Sequence, residues 1–176
     1  CLGGRVEYVL EGNINYTGAV ITWLKNDLKL VDSAKVGPIA EAANPADKTY
    51  LVPAFSGLGA PYWDSSCTAM ITGMTRNTGR AEIVRAAEEC IAYQIADNVN
   101  LLSRSAGIPV RELRVDGGPT RDRFLMQFQS DILDTVIQVP QAEELSAIGA
   151  AYAAGIALGV FDRSRIFERM ERKAFT

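Results

Sequence analysis

Short β-prone runs alternate with longer amphipathic ones along almost the whole chain, and few architectures can bury both kinds of segment at once. Apolar side chains two residues apart suit one face of a strand, whereas a spacing of three or four suits one stripe of a helix. On that basis Arg5 to Leu10, Thr49 to Pro53, Ala69 to Met74, Glu112 to Asp116 and Val136 to Val139 are predicted strands. The segments about Asn15 to Leu30, Arg80 to Ser103, Thr120 to Leu133 and Glu143 to Gly159 are predicted helices. The order β-α-β-β-α-β-α-β-α predicts an α/β fold, a sheet covered by helices on both faces.

Within the first helix, Ile21, Leu24, Leu28 and Val31 make the apolar stripe and Lys25, Asn26 and Lys29 lie across from it. Gly37 to Lys48 has room for one more short helix. In the longest helix, Ile83, Ala87, Ile91, Ile95, Val99 and Leu102 define the buried face, which leaves Arg80, Arg85, Glu88 and Glu89 to solvent. Cys90 is expected to pack inside, and Gly107-Ile108-Pro109 ends the helix. The helix after Gly117-Gly118 is expected to bury Phe124, Leu125, Phe128 and Ile132, and Asp162 to Thr176 reads as a charged terminal helix or tail.

The 176 residues, 48% of them hydrophobic, suffice for one core, so one domain over 1–176 is expected. A net charge of -3 with dispersed Lys and Arg offers no field for neutralising phosphates, and no nucleic-acid partner is expected. With no histidine, Ser-His-Asp, Cys-His and His-based zinc chemistry are excluded within the chain. Cys1, Cys67 and Cys90 form no CxxC pair, which suits reduced thiols, and no run approaches a membrane span or signal peptide. A soluble, cytoplasmic protein is expected; Cys1 in place of Met, directly before a strand-like segment, suggests a piece of something longer.

Four features are candidates for chemistry. At Asp116-Gly117-Gly118 a strand turns into a helix; glycines there let a ligand reach the backbone, and the helix start offers unpaired N–H groups, although a tight connection needs the same residues. Ala147, Ala151, Gly155 and Gly159 make a small-residue stripe, suited to close helix packing or to a flat ligand. Tyr62, Trp63 and Asp64 are either a sugar-binding edge or a loop anchored by two buried aromatics with Asp64 capping a turn. Asp116 is a metal ligand or the acceptor of its own turn, and neither a Rossmann fingerprint nor a Walker A motif is present.

Five blocks in order carry a resemblance: Val52-Pro-Ala-Phe-Ser-Gly-Leu-Gly-Ala-Pro-Tyr-Trp-Asp64, Glu89-Cys-Ile-Ala-Tyr-Gln94, Leu113-Arg-Val-Asp-Gly-Gly118, Phe124-Leu-Met-Gln-Phe-Gln-Ser-Asp-Ile-Leu133 and Ala147-Ile-Gly-Ala-Ala-Tyr-Ala-Ala-Gly155. From about Val6 to Gly159 the chain resembles the C-terminal domain of the FGGY carbohydrate kinases, the glycerol kinases in particular. The resemblance implies an actin-like ATPase fold with an RNase-H-like domain and a mixed sheet. It further implies ATP/ADP contacts at Gly117 and Gly118, with Gly18 as a second nucleotide neighbour.

Two positions depart from the family. Thr22 stands where glycerol kinases usually have Gln, and Pro119-Thr120-Arg121-Asp122 replaces Ala-x-x-Asn. An aspartate about 5 Å from a phosphate charge costs roughly 3 kcal/mol at an effective dielectric near 20, so Asp122 is expected either to accept from a ribose hydroxyl or to turn to solvent. By the same resemblance no catalytic residue lies in this chain; the base aspartate, the polyol contacts and the Mg2+ ligands belong before residue 1, in company with an N-terminal kinase domain. The implied parent is a homo-oligomeric enzyme making sn-glycerol 3-phosphate from glycerol, and the chain alone is expected to be inactive. Two alternatives stay open, a family kinase for another polyol or sugar and a non-catalytic nucleotide-sensing domain.

Overall fold

The computed structural model describes residues 6, 8–32, 36–142, 145–166 and 170–176. Its helices are α1 (Gly18–Asn26), α2 (Val36–Glu41), α3 (Arg80–Ala106), α4 (Arg123–Leu133) and α5 (Leu145–Ala157). The strands are β1 (Tyr50–Val52), β2 (Met70–Thr72), β3 (Glu112–Arg114), β4 (Val136–Pro140) and β5 (Arg172–Phe175).

The architecture is built round α3, against which α1, α2, α4 and β1 all pack. Crowding on several sides explains why its burial is broader than a single apolar stripe. Val84, Ala87, Cys90 and Ile91 are in the core, the last three as expected, but so are Ala86 and Ala92. Glu88 and Glu89, expected in solvent, are buried as well. Alanines on the flanks let neighbouring elements come close, and the acids next to them are covered in the process. Glu89 pairs with Arg85 at 2.5 Å, one helical turn away.

The other helices follow the sequence pattern with a rotation. In α1, Val20 and Leu24 are fully buried, while Leu28 lies beyond the helix end and is exposed. A 3-10 turn over Gly118–Arg121 delays α4, and the face it buries holds Leu125, Met126, Gln129 and Ser130. Phe124 and Phe128 are therefore half-buried and Ile132 is exposed, contrary to the expectation for the last of them.

β1 and β2 pair antiparallel, with Leu51 opposite Ile71. β3 and β4 pair parallel, with Leu113 opposite Ile137, and β5 adds antiparallel on the other edge of β4. This mixed sheet corrects the expected terminal helix or tail: Ile137 pairs with Phe175, whose ring is buried in the core. One large apolar residue at the right register outweighs the charge of the segment around it.

Three further expectations fail. Val6, Tyr8, Val9 and Leu10 form no strand and are exposed, because no described strand pairs with them; residues 5 and 7 of that segment lie outside the described residues. Tyr62 and Trp63 are exposed at 60% and 76%, so buried aromatics do not anchor their loop. Instead the loop is closed by reciprocal backbone bonds between Leu58 and Asp64, at 2.8 and 3.1 Å. Asp64 caps its turn as expected, accepting from the Ser66 hydroxyl at 2.6 Å and the Ser66 N–H at 2.8 Å. These bonds, the Ser66 hydroxyl first, hold its carboxyl down to about 2. Finally, Ala147, Ala151 and Gly159 are exposed, so among the described residues no helix packs on their stripe; at Gly155 it is the ring of Phe161 from the same chain that lies where a Cβ would be. Among the described residues no helix is long and apolar enough to cross a membrane.

Candidate functional site

The strand-to-helix turn is organised by its own polar groups. The Gly117 N–H donates to Asp116 Oδ1 at 2.7 Å, which makes Asp116 the acceptor of its turn. Among the described residues no group of three acids or cysteines could hold a metal ion. Gly117 has φ 101° and ψ 172°, a conformation open essentially to glycine alone. Thr120 closes the turn by donating its hydroxyl to the Gly117 carbonyl at 2.7 Å.

Asp122 then starts α4. Its Oδ1 accepts from the N–H groups of Phe124 at 2.9 Å and Leu125 at 3.3 Å, an N-cap that satisfies two of the helix's free donors. The carboxylate rests on Gly37 of α2, where any Cβ would overlap it. Hence Asp122 is neither turned away to solvent nor free in all its lone pairs. Asp122→Ala is expected to lower stability by about 1 kcal/mol, and Asp122→Asn to retain most of it, in urea denaturation monitored by circular dichroism. Equal losses in the two variants would show that capping is not what the side chain contributes.

Between α1, α2, α3 and the head of α4 lies a cleft of about 850 Å3. Its apolar lining includes Ile21, Val36, Pro38 and Pro119, and its charged groups are Glu41, Glu88, Arg121, Asp122 and Arg123. Gly18 and Gly118 contribute backbone only. A Cβ at Gly18 would reach the Pro119 ring at 3.7 Å, whereas at Gly118 it would meet nothing within 4 Å.

Glu88 is the least expected member of the lining. It is 1% exposed, and among the described residues its Oε2 has no hydrogen-bond partner. Burial, and after it the charge of Asp122, pushes the carboxyl up to about 8. Leaving a polar atom buried without a partner costs about 1–3 kcal/mol, so the position is chemically conspicuous.

Of the residues singled out in the sequence, the cleft brings together Gly18, Gly118 and Asp122. Gly117 lies beside it, in a groove of about 530 Å3 that also holds Asp116, Gly118 and Gln141. Thr22 lines neither; it is exposed and donates its hydroxyl back to the Gly18 carbonyl at 3.1 Å. Gly37 and Glu88 were not foreseen. The available signal for Glu88 was its place on the same helical face as Val84 and Ile91, four residues after one and three before the other.

The family model of the FGGY carbohydrate kinase C-terminal domain matches residues 2–158. Glycerol kinase of Chromobacterium violaceum is 49% identical over 157 residues, covering 89% of this chain and 31% of that protein. The Halorhodospira halophila glycerol kinase is 46% identical over 166 residues, covering 94% and 33%. The crystal structure of Plasmodium falciparum glycerol kinase with ADP superposes with a TM-score of 0.81 at 39% identity, covering 90% of this chain and 32% of that one. The chain thus spans about a third of the length of these relatives. Its α/β fold is that of the actin-like kinases, and by the match over most of its length the chain belongs to the FGGY family of carbohydrate kinases, in the C-terminal domain.

Proposed function

We propose that this chain is the nucleotide-holding C-terminal domain of an ATP-dependent glycerol kinase, which converts ATP and glycerol to ADP and sn-glycerol 3-phosphate. The observation that carries the proposal is the meeting of Gly18 and Gly118, a hundred positions apart in sequence, on one cleft where backbone rather than side chain forms the wall. A flat base can lie against such a wall at van der Waals distance. The Plasmodium glycerol kinase, whose structure was solved with ADP, and the bacterial glycerol kinases support the same assignment.

The apolar lining sets the orientation. Ile21, Val36, Pro38 and Pro119 suit a base rather than phosphates, and the acids Glu41 and Asp122 are offset by Arg121 and Arg123, so the nucleoside end enters and the phosphates point out. In the transfer itself the glycerol hydroxyl oxygen bonds to the γ-phosphorus, the bond from that phosphorus to the bridging oxygen breaks, and the hydroxyl proton goes to a base outside this chain. Catalysis of that step rests on positioning and electrostatics, and this chain's part is to hold one reactant still. Mg2+ belongs to the proposed reaction, but the described residues do not fit it.

A coupled assay for ADP release with a panel of polyols and sugars tests the proposal. The longer protein carrying this chain is expected to turn over glycerol above every other substrate, and the 176-residue chain alone to show no turnover. Preference for another sugar would reassign the substrate; turnover by the chain alone would overturn the division of labour.

A further inference from the structure

Resting on that assignment of the cleft, we propose that Glu88 is the group that recognises the base, its carboxyl presenting one O–H donor and one carbonyl acceptor to the edge of an adenine. Three observations lead there. Glu88 is part of the cleft wall, between α2 and the head of α4. Only 1% of it is exposed, so water does not satisfy it. Its Oε2 has no partner among the described residues, and Asp122 beside it already uses Oδ1 to cap α4.

Adenine carries an amino N–H next to a ring nitrogen, a donor beside an acceptor. A neutral carboxyl complements both at once, whereas a carboxylate can take only the amino hydrogen and opposes the nitrogen lone pair. Guanine differs: its N1–H and 2-amino group are adjacent donors that a carboxylate accepts well, and its O6 and N1–H suit the neutral acid. Protonation of Glu88 therefore decides whether adenine fits, and matters little to guanine.

The surroundings favour the neutral state. Among the described residues that wall the cleft, the charged groups besides Glu88 are Glu41 on α2, Arg121 in the 3-10 turn, and Asp122 and Arg123 at the head of α4; α1 contributes Gly18 and Ile21. On α3 itself the neighbouring Cys90 thiol is pushed up to about 12 by burial first and then by Glu88, so it stays neutral. Burial and Asp122 keep Glu88 protonated to about pH 8.

Calorimetric titration of the protein carrying this chain with ADP and with GDP, at pH 7 and pH 9, tests the proposal. A site competent only when protonated loses affinity in proportion to its neutral fraction, so ADP is expected to bind about tenfold more weakly at pH 9 while GDP holds. The phosphates of the two nucleotides titrate alike and guanine N1–H is still mostly protonated at pH 9, so the ADP-to-GDP ratio reports Glu88 to within about twofold. Glu88→Gln keeps a donor and an acceptor with no proton to lose, and its ADP affinity is expected to be the same at both pH values. Glu88→Leu is expected to bind ADP at least about tenfold more weakly at pH 7.

A constant ADP-to-GDP ratio in the native protein, a Gln variant with the native pH dependence, or a Leu variant with native ADP affinity would each overturn the role of Glu88. A carboxyl that is merely a misfit of the core would change the melting temperature of both variants and leave the ratio alone, which also overturns it. In all these cases ADP still binds and the cleft keeps its assignment. If the native protein binds neither nucleotide, the assignment of the cleft falls and takes the role of Glu88 with it.

Discussion

Gly118→Leu is expected to weaken ADP binding about a hundredfold, roughly 2.7 kcal/mol, while the chain still folds. At this position an added Cβ meets no described atom beyond its chain neighbours within 4 Å, so the new side chain grows into the open space where the cleft meets the adjoining groove and crowds the base. The fold does not go untouched. Gly118 precedes Pro119, and a side chain before proline narrows the backbone choices, at a cost of about 1 kcal/mol. Gly118→Ala carries that same local cost with little bulk, and the pair of variants separates the two effects. Both should melt at nearly the same temperature, while affinity falls with side-chain size. Native ADP affinity in the Leu variant would mean that no base lies over this turn.

How far that turn could be seen in the sequence depends on which interactions are local. Asp116, Gly117 and Gly118 are adjacent, their turn is closed by their own bonds, and it was legible from residue types alone. β5 was not. Its place depends on Phe175 meeting Ile137, a pairing across nearly forty residues in a segment dominated by charge. Glu88 and Glu89 were misplaced for a related reason: a helical stripe identifies the face nearest one neighbour, whereas α3 has neighbours around most of its circumference. Tyr62 and Trp63 show the converse, large aromatics exposed because the Leu58 and Asp64 backbones already close their loop.

The cleft lies between these cases. Gly18 and Gly118 were linked by resemblance rather than by any periodicity, and Asp122 was identified as unusual without its partner. That partner is Gly37, whose missing Cβ makes room for the capping carboxylate. A glycine in a short helix carries no such message until the packing of α2 on α4 is known. The same packing brings Asp122 within electrostatic reach of Glu88, so an acid on α3 and an acid on α4 become one site only in three dimensions.

The largest effect on stability is expected at Gly73, far from any proposed ligand. It follows β2 with φ +76°, and a Cβ there would overlap the carbonyl oxygen of Lys48, just before β1. Backbone cannot swing aside as a flexible side chain can, so Gly73→Ala must part the two strands or shift the chain. Overpacking and the positive φ together should cost about 3 kcal/mol or more, a large share of the roughly 5–15 kcal/mol that holds a domain together. Because β1 packs directly on α3, the loss should be global and lower the urea midpoint for the whole molecule. Gly107→Ala supplies the comparison: φ is +65° but nothing lies within 4 Å of the new Cβ, so only the conformational part remains, about 1 kcal/mol. If the two variants lost equal stability, the close approach of Lys48 to Gly73 would contribute nothing, and the β1–β2 pair would be looser than its register implies.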